Sequence, residues 1–152
     1  VMKLITTREL GRLCKWLRIM GFDAAYYPQD DKRELVIKSL REDRIILSRD
    51  SRMARYSGVR LLHIKSDFIE EQVRQVINEV PLDIDKGSFF TRCILCNERL
   101  APTGKEEVKD SVPAYVFETH DKFMACPLCG KIYWQGTHWD NVEDFMSRLG
   151  ID

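Results

Sequence analysis

MKLITTRELGRLCKWLRIMGFDAAYY, residues 2–27, carries a strand, a helix and a second strand in close succession. Met2 to Thr6 is a short apolar run of strand length. From Glu9 to Met20, the residues Leu10, Leu13, Cys14 and Leu17 return at helical spacing, which predicts an amphipathic helix with that stripe turned inward. Gly21 follows directly, where a helix most readily ends on a left-handed residue. Ala24 to Tyr27 then reads as the second strand.

The pattern continues outward from this unit. Asp31 to Glu42 is a second helix, Ile45 to Ser48 a third strand, Ser51 to Ser57 a short helix, Arg60 to Ile64 a fourth strand and Phe68 to Asn78 a closing helix. Alternation of this kind implies an α/β fold with a mainly parallel sheet and helices on both faces. Glu79 to Ser88, with Pro81 and Gly87 and little periodicity, reads as a linker. The expected division is residues 1–80 for the α/β domain and 89–152 for a second, smaller module.

That module holds four of the five cysteines, as Cys93-Ile-Leu-Cys96 and Cys126-Pro-Leu-Cys129-Gly130. A C-x2-C turn lets two sulfurs of one chain reversal reach the same ion, and two such turns complete a tetrahedral thiolate shell. Four thiolates leave no position for water, so Cys93, Cys96, Cys126 and Cys129 predict a structural zinc site. A redox dithiol pair and a rubredoxin-like iron site are the alternatives. The stretch between the two knuckles is long enough for a β-hairpin containing Ala114 to Thr119. Cys14 is left over, and its neighbours place it in the core.

Hydrophobic residues make up 44% and charged residues 32% of the chain, the balance of a globular protein. No apolar run approaches bilayer length and no secretory pattern opens the sequence, so no membrane association and a cytoplasmic location are expected. The 24 basic and 24 acidic side chains cancel overall, but residues 1–60 hold 14 Lys and Arg against 8 Asp and Glu. The first half therefore suits a polyanionic partner. On the first helix, Arg8, Arg12, Lys15 and Arg18 fall opposite the apolar stripe. They read as phosphate contacts or, equally, as a solvated face.

In an open parallel sheet, ligands collect beyond the carboxyl ends of the strands. Asp31 and Glu34 come soon after the second strand, Asp50 follows the third and Asp67 the fourth. Clustered carboxylates call for a hard divalent cation, Mg²⁺ or Mn²⁺, able to polarise a phosphodiester. Asp31-x-x-Glu34 and Asp67-x-x-Glu70 also resemble helix capping boxes, and Asp50 could cap the helix that follows it.

The segment Arg8-Glu-Leu-Gly-Arg-Leu-Cys-Lys-Trp-Leu-Arg18, followed by Gly21-Phe-Asp23, resembles the PIN-like ribonuclease family found as the C-terminal domain of Mut-seven exonucleases. Ile46-Leu-Ser-Arg-Asp50, Phe90-Thr-Arg-Cys93, Pro113-Ala-Tyr, Cys126-Pro-Leu-Cys-Gly130 and Tyr133-Trp-Gln-Gly-Thr-His-Trp139 look like further signatures in the expected order. The resemblance implies a PIN-like three-layer α/β/α domain followed by a small β-rich zinc ribbon, with metal-dependent cleavage of RNA. It assigns Asp31, Glu34 and Asp50 to the family's acidic positions. One position departs from the pattern: Thr7 stands where the family places an Asp after the first strand. A hydroxyl cannot replace a carboxylate's charge, so weakened metal affinity is the expected consequence.

Three readings follow. The first is an endoribonuclease in which Asp31, Glu34 and Asp50 hold the catalytic cation while Arg8, Arg12, Lys15 and Arg18 hold phosphates. The second is a catalytically impaired RNA-binding adaptor, motivated by Thr7. The third is a protein-interaction module whose aromatic tail, Tyr133 to Trp139, meets a partner chain. That tail could stack unpaired bases or serve the ribbon's own core, and His138 within it offers a general acid or base.

Overall fold

The structure, a computed structural model, describes residues 2–55 and 58–151. Its first strand, β1 (Lys3–Thr6), buries Leu4, Ile5 and Thr6 completely, as expected of a strand covered on both faces of a parallel sheet. The helix expected from Glu9 to Met20 divides in two: a 3-10 turn at Arg8–Leu10, then α1 (Gly11–Ile19). The Tyr26 hydroxyl donates to the Arg8 carbonyl at 2.6 Å, at the start of that tighter turn. At the other end Gly21 N–H bonds the Arg18 carbonyl and Phe22 N–H the Leu17 carbonyl, both at 3.0 Å. This is the left-handed helix stop the sequence suggested. Gly21 has φ +92°, and a Cβ there would lie 2.3 Å from the Ser88 carbonyl oxygen, so only glycine fits.

The other strands of this sheet are β2 (Asp23–Tyr26), β3 (Ile45–Ser48) and β4 (Leu61–His63), ordered β2-β1-β3-β4 and all parallel. Ile5 and Ile46 pack with Met53 and with Leu35 and Val36 of α2 (Lys32–Glu42). Successive strand residues face opposite sides, so Leu4 and Thr6 turn toward α1. That helix packs against α3 (Ile69–Glu79) with Leu13, Leu17, Val73 and Val76 fully buried. Cys14 is core, as expected; its Sγ lies 3.4 Å from the Ala24 carbonyl, and burial pushes its thiol above the ordinary range. The short helix expected over Ser51–Ser57 is a 3-10 turn, Ser51–Arg55; Tyr56 and Ser57 lie outside the described residues.

Chain order fixes where a ligand belongs. From β1 the chain moves to β2 on one side, then returns past β1 to β3 on the other. The carboxyl ends of β1 and β3 therefore flank the topological switch point of the sheet.

One partly buried cation ties the sheet's edge together. Arg44, only 10% exposed, reaches Asp23 Oδ1 at 2.7 Å, Glu42 Oε1 at 2.7 Å and the Leu4 carbonyl at 3.0 Å. Asn97 Nδ2 also donates to Asp23, at 2.6 Å, and Asn97 Oδ1 accepts from the Ala24 N–H of the edge strand β2. Burial alone would raise the Asp23 carboxyl, but the bonds from Arg44 and Asn97 outweigh it and hold it below the ordinary value. Replacing Arg44 by Met is expected to destabilise the fold by about 1–2 kcal/mol, less than for a fully buried pair because both partners keep some solvent contact, measured by urea denaturation at neutral pH. A depressed carboxyl stabilises the fold above its unfolded pKa and loses that stabilisation as pH falls. The difference between wild type and Arg44→Met should therefore shrink below about pH 4.

The described chain falls into two compact units, residues 1–97 and 98–152. In the second, β5 (Ala101–Thr103), β6 (Phe123–Ala125) and β7 (Ile132–Tyr133) form an antiparallel sheet in that order. Ala114–Thr119, expected in a β-hairpin, is instead a helix, α4. Pro113 fits a helix start, and Val116 of α4 joins Val108, Val112 and Phe123 in one core. Trp134 of the aromatic run packs against that core. The expected C-terminal tail is a second helix, α5 (Thr137–Arg148), burying Val142, Phe145 and Met146. The side chain of His138 lies outside the described residues. Among the described residues no helix is long and apolar enough to cross a membrane.

Candidate functional site

A cleft of about 110 Å³ opens at the switch point, lined by Thr7, Arg8 and Glu9 after β1, by Tyr27 and residues 29–32 after β2, and by Ser48 at the end of β3 and Asp50 beyond it. It is too small for a nucleotide, since ligand pockets run to about 300 Å³ or more. It has room for a phosphate group or a cation with a few waters.

Asp50 ends the loop just past β3. Its N–H donates to Ser48 Oγ at 3.0 Å, which fixes the turn. Its Oδ1 accepts from the Arg52 N–H at 2.9 Å and from Arg52 Nε at 3.0 Å, while Oδ2 meets Arg52 Nη2 at 3.2 Å and Lys32 Nζ at 2.6 Å. The bonds from Arg52, then the one from Lys32, hold the Asp50 carboxyl far below the ordinary carboxylate range. Asp31 caps α2: its Oδ1 accepts from the Glu34 N–H at 3.1 Å. Asp31 and Asp50 thus share one cleft, although they come from separate loops. Glu34 is exposed on the first turn of α2 and is not among the lining residues. Its charge reaches Tyr27, whose phenol is pushed up first by partial burial and then by Asp31 and Glu34. Asp67 stands apart, 83% exposed and paired with Arg49 at 2.8 Å.

The cationic stripe divides. Arg8, in the 3-10 turn, lines the cleft, and Arg12 and Lys15 are exposed on α1. Arg18 turns inward instead: it is 7% exposed, with Nε bonding the Ala24 carbonyl at 2.8 Å and Nη1 the Ile94 carbonyl at 2.7 Å. Its donors hold the first cysteine knuckle. Arg92 assists, bonding the Gly21 and Asn97 carbonyls at 3.1 and 2.8 Å.

The two knuckles share one backbone design. In each, the residue after the second cysteine is left-handed, Asn97 at φ 67° and Gly130 at φ 78°, types that tolerate this conformation. Each donates its N–H to the carbonyl of the first cysteine at 2.9 Å, Asn97 to Cys93 and Gly130 to Cys126. The Sγ atoms of Cys93, Cys96, Cys126 and Cys129 all lie within 4.8 Å of one another. Zinc–sulfur bonds of about 2.3 Å in a tetrahedron place sulfurs about 3.8 Å apart. The four cysteines could therefore hold one zinc ion with small adjustments.

Lys32, Arg52 and Tyr27 were not assigned from the sequence, and Glu9 was weighed there only as a stand-in for the acid that Thr7 replaces. Lys32 follows the capping Asp31 directly, and Arg52 lies two residues past Asp50, so both had a positional signal. Glu9 was masked by its place in what read as continuous helix.

The sequence matches the family model described as Mut7-C RNAse domain over residues 2–146. No curated protein and no solved structure matches it.

Proposed function

The chain belongs to the Mut7-C RNAse domain family, and on that footing we propose that it is a metal-dependent endoribonuclease. The observation that carries the reading is the meeting of Asp31 and Asp50 in one cleft at the switch point, with Arg8 at its edge. The donor set fits a hard divalent cation. Every candidate ligand is an oxygen, and a protein cation, Lys32, already occupies Asp50. Lys32 is flexible and 35% exposed, so it can yield the position.

Asp31 and Asp50 would hold Mg²⁺ or Mn²⁺, and Glu34 adds negative charge beside Tyr27. The cation supplies Lewis-acid polarisation of the phosphodiester and activation of the attacking water. Arg8 in the 3-10 turn, with Arg12 and Lys15 on α1, would contact successive phosphates. Arg18 is excluded from that role by its buried bonds. The zinc site serves folding, because four thiolates leave no coordination position for chemistry.

Labelled single-stranded RNA incubated with Mn²⁺ tests the reading. Internal cuts that vanish when Mn²⁺ is omitted are expected. Thr7, together with the cations on Asp50, favours a second reading: RNA held without being cut. Binding without cleavage supports that adaptor, and absence of both leaves a protein-interaction module. Three phosphate contacts predict a log–log salt slope near −2 for single strands. Replacing Arg12 and Lys15 together by Ala should flatten it to about −0.7, read by fluorescence anisotropy between about 50 and 200 mM salt.

A further inference from the structure

Tyr26 ends the edge strand β2, and its side chain turns to the α1 side together with the buried Ala24 two residues earlier. The phenol is tethered at its far end, where the hydroxyl donates to the Arg8 carbonyl at 2.6 Å. Gly11, at the start of α1, lets the ring lie close: a Cβ there would sit 3.6–3.7 Å from the hydroxyl oxygen, Cε1 and Cζ. A strand, a hydrogen bond and a bare stretch of helix thus hold the ring in one orientation. Even so, 36% of the residue stays exposed, unlike a tyrosine that serves the core.

The ring's neighbours are cationic. Arg8, which supplies the anchoring carbonyl, and Arg12 and Lys15 of α1 are all exposed. Among the described residues none of the three is paired with an acid. Lys15 lies four residues after Gly11, so it rises from the helical face that the ring covers. Glu9, the acid next to Arg8 in sequence, is turned the other way. Its Oε1 accepts from the Thr7 hydroxyl at 2.6 Å and from the Arg49 N–H at 3.3 Å, on the β3 side of β1, whereas Tyr26 lies on the β2 side.

An oriented, solvent-open ring beside unpaired cations suits single-stranded nucleic acid, whose bases stack on aromatic faces while its phosphates meet the charges. A duplex keeps its bases stacked on one another, so the occupant is a single strand. Arg8 both anchors Tyr26 and lines the cleft, which puts the ring at the cleft's edge. We propose that Tyr26 is a base-stacking platform that seats one unpaired base of single-stranded RNA beside the cleft, with Arg8, Arg12 and Lys15 on the flanking phosphates. This inference rests on the RNA-directed reading above.

Fluorescence anisotropy of the zinc-loaded full chain with labelled oligoadenylate and oligouridylate of equal length tests it. Tyr26→Leu removes the ring and no charge. It should weaken oligoadenylate binding at least about fivefold, leave the salt slope unchanged and erase any preference for the better-stacking oligoadenylate. Tyr26→Phe keeps the ring and should bind close to wild type. Irradiated RNA that carries iodouridine should crosslink to Tyr26, located by mass spectrometry of wild-type protein. Equal affinities of wild type and a folded Tyr26→Leu overturn this inference and leave RNA binding standing. If Tyr26→Leu loses its melting transition, the crosslink decides, and crosslinks found only at other residues overturn the inference. If wild type binds neither oligonucleotide, this inference and the RNA-directed reading fall together.

Discussion

Asp50→Asn is expected to lower RNA cleavage in Mn²⁺ by about a thousandfold. A cation contributes several kcal/mol of charge stabilisation to phosphoryl chemistry, and about 4 kcal/mol corresponds to three orders of magnitude in rate. Asn has the same shape and keeps an oxygen for the Arg52 N–H, which Asp50 Oδ1 now accepts at 2.9 Å. The turn after β3 should survive, so the loss would report charge rather than folding. Single-turnover cleavage with saturating protein separates the effect from RNA binding, which should be unchanged or slightly tighter after a negative charge is removed. The cations around Asp50 also set its pH behaviour. Its carboxyl is held far below the ordinary range, so no activity loss from its protonation is expected down to about pH 4, where an unperturbed Asp would titrate. Full activity in Asp50→Asn would remove this carboxylate from the chemistry.

Stripping zinc is expected to unfold the second unit. Its strands are two or three residues long, and among the described residues its buried apolar side chains besides cysteine are Val108, Val112, Val116, Phe123, Val142, Phe145 and Met146. A core of that size supplies only a few kcal/mol, against about 10–16 kcal/mol of zinc binding in structural zinc peptides. A strong chelator should release one zinc per chain, shift Trp134 fluorescence toward that of a solvated indole, and remove hydrogen-exchange protection at β6 and β7. The parallel sheet should keep its protection, since its core of Leu4, Ile5, Leu13, Leu17 and Ile46 is built without metal. Cys126→Ser should reproduce the effect. An unchanged melting curve and no bound zinc would remove the site's structural role.

Much of this architecture was readable in the chain. Strands covered on both faces are continuous apolar runs, and Gly21 marks a helix stop that no side chain could replace. Asp31 and Asp50 were found because parallel sheets collect ligands at one edge. Arg18 shows the limit of face counting. It lies three residues from Lys15, yet also four from Cys14 and eight from Leu10, so it shares the buried stripe and turns its guanidinium to backbone carbonyls. Glu34 follows Asp31 by one helical turn, but capping brings only its N–H to that carboxylate. The Lys32–Asp50 pair joins loops that only the folded sheet brings together. In the second unit, Ala114–Thr119 was placed in a hairpin only on the length of the stretch between the knuckles, while Pro113 directly before it marked a helix start. Val142, Phe145 and Met146 carried a helical spacing within α5.

A divalent cation entering the cleft between the ends of β1 and β3 would displace Lys32 from Asp50. Anomalous diffraction from crystals soaked in Mn²⁺ tests this most directly. The prediction is a peak about 2.0–2.6 Å from carboxylate oxygens of Asp31 and Asp50, with the Lys32 ammonium moved away. A map with no peak in the cleft at saturating Mn²⁺, and Lys32 still on Asp50, would contradict it.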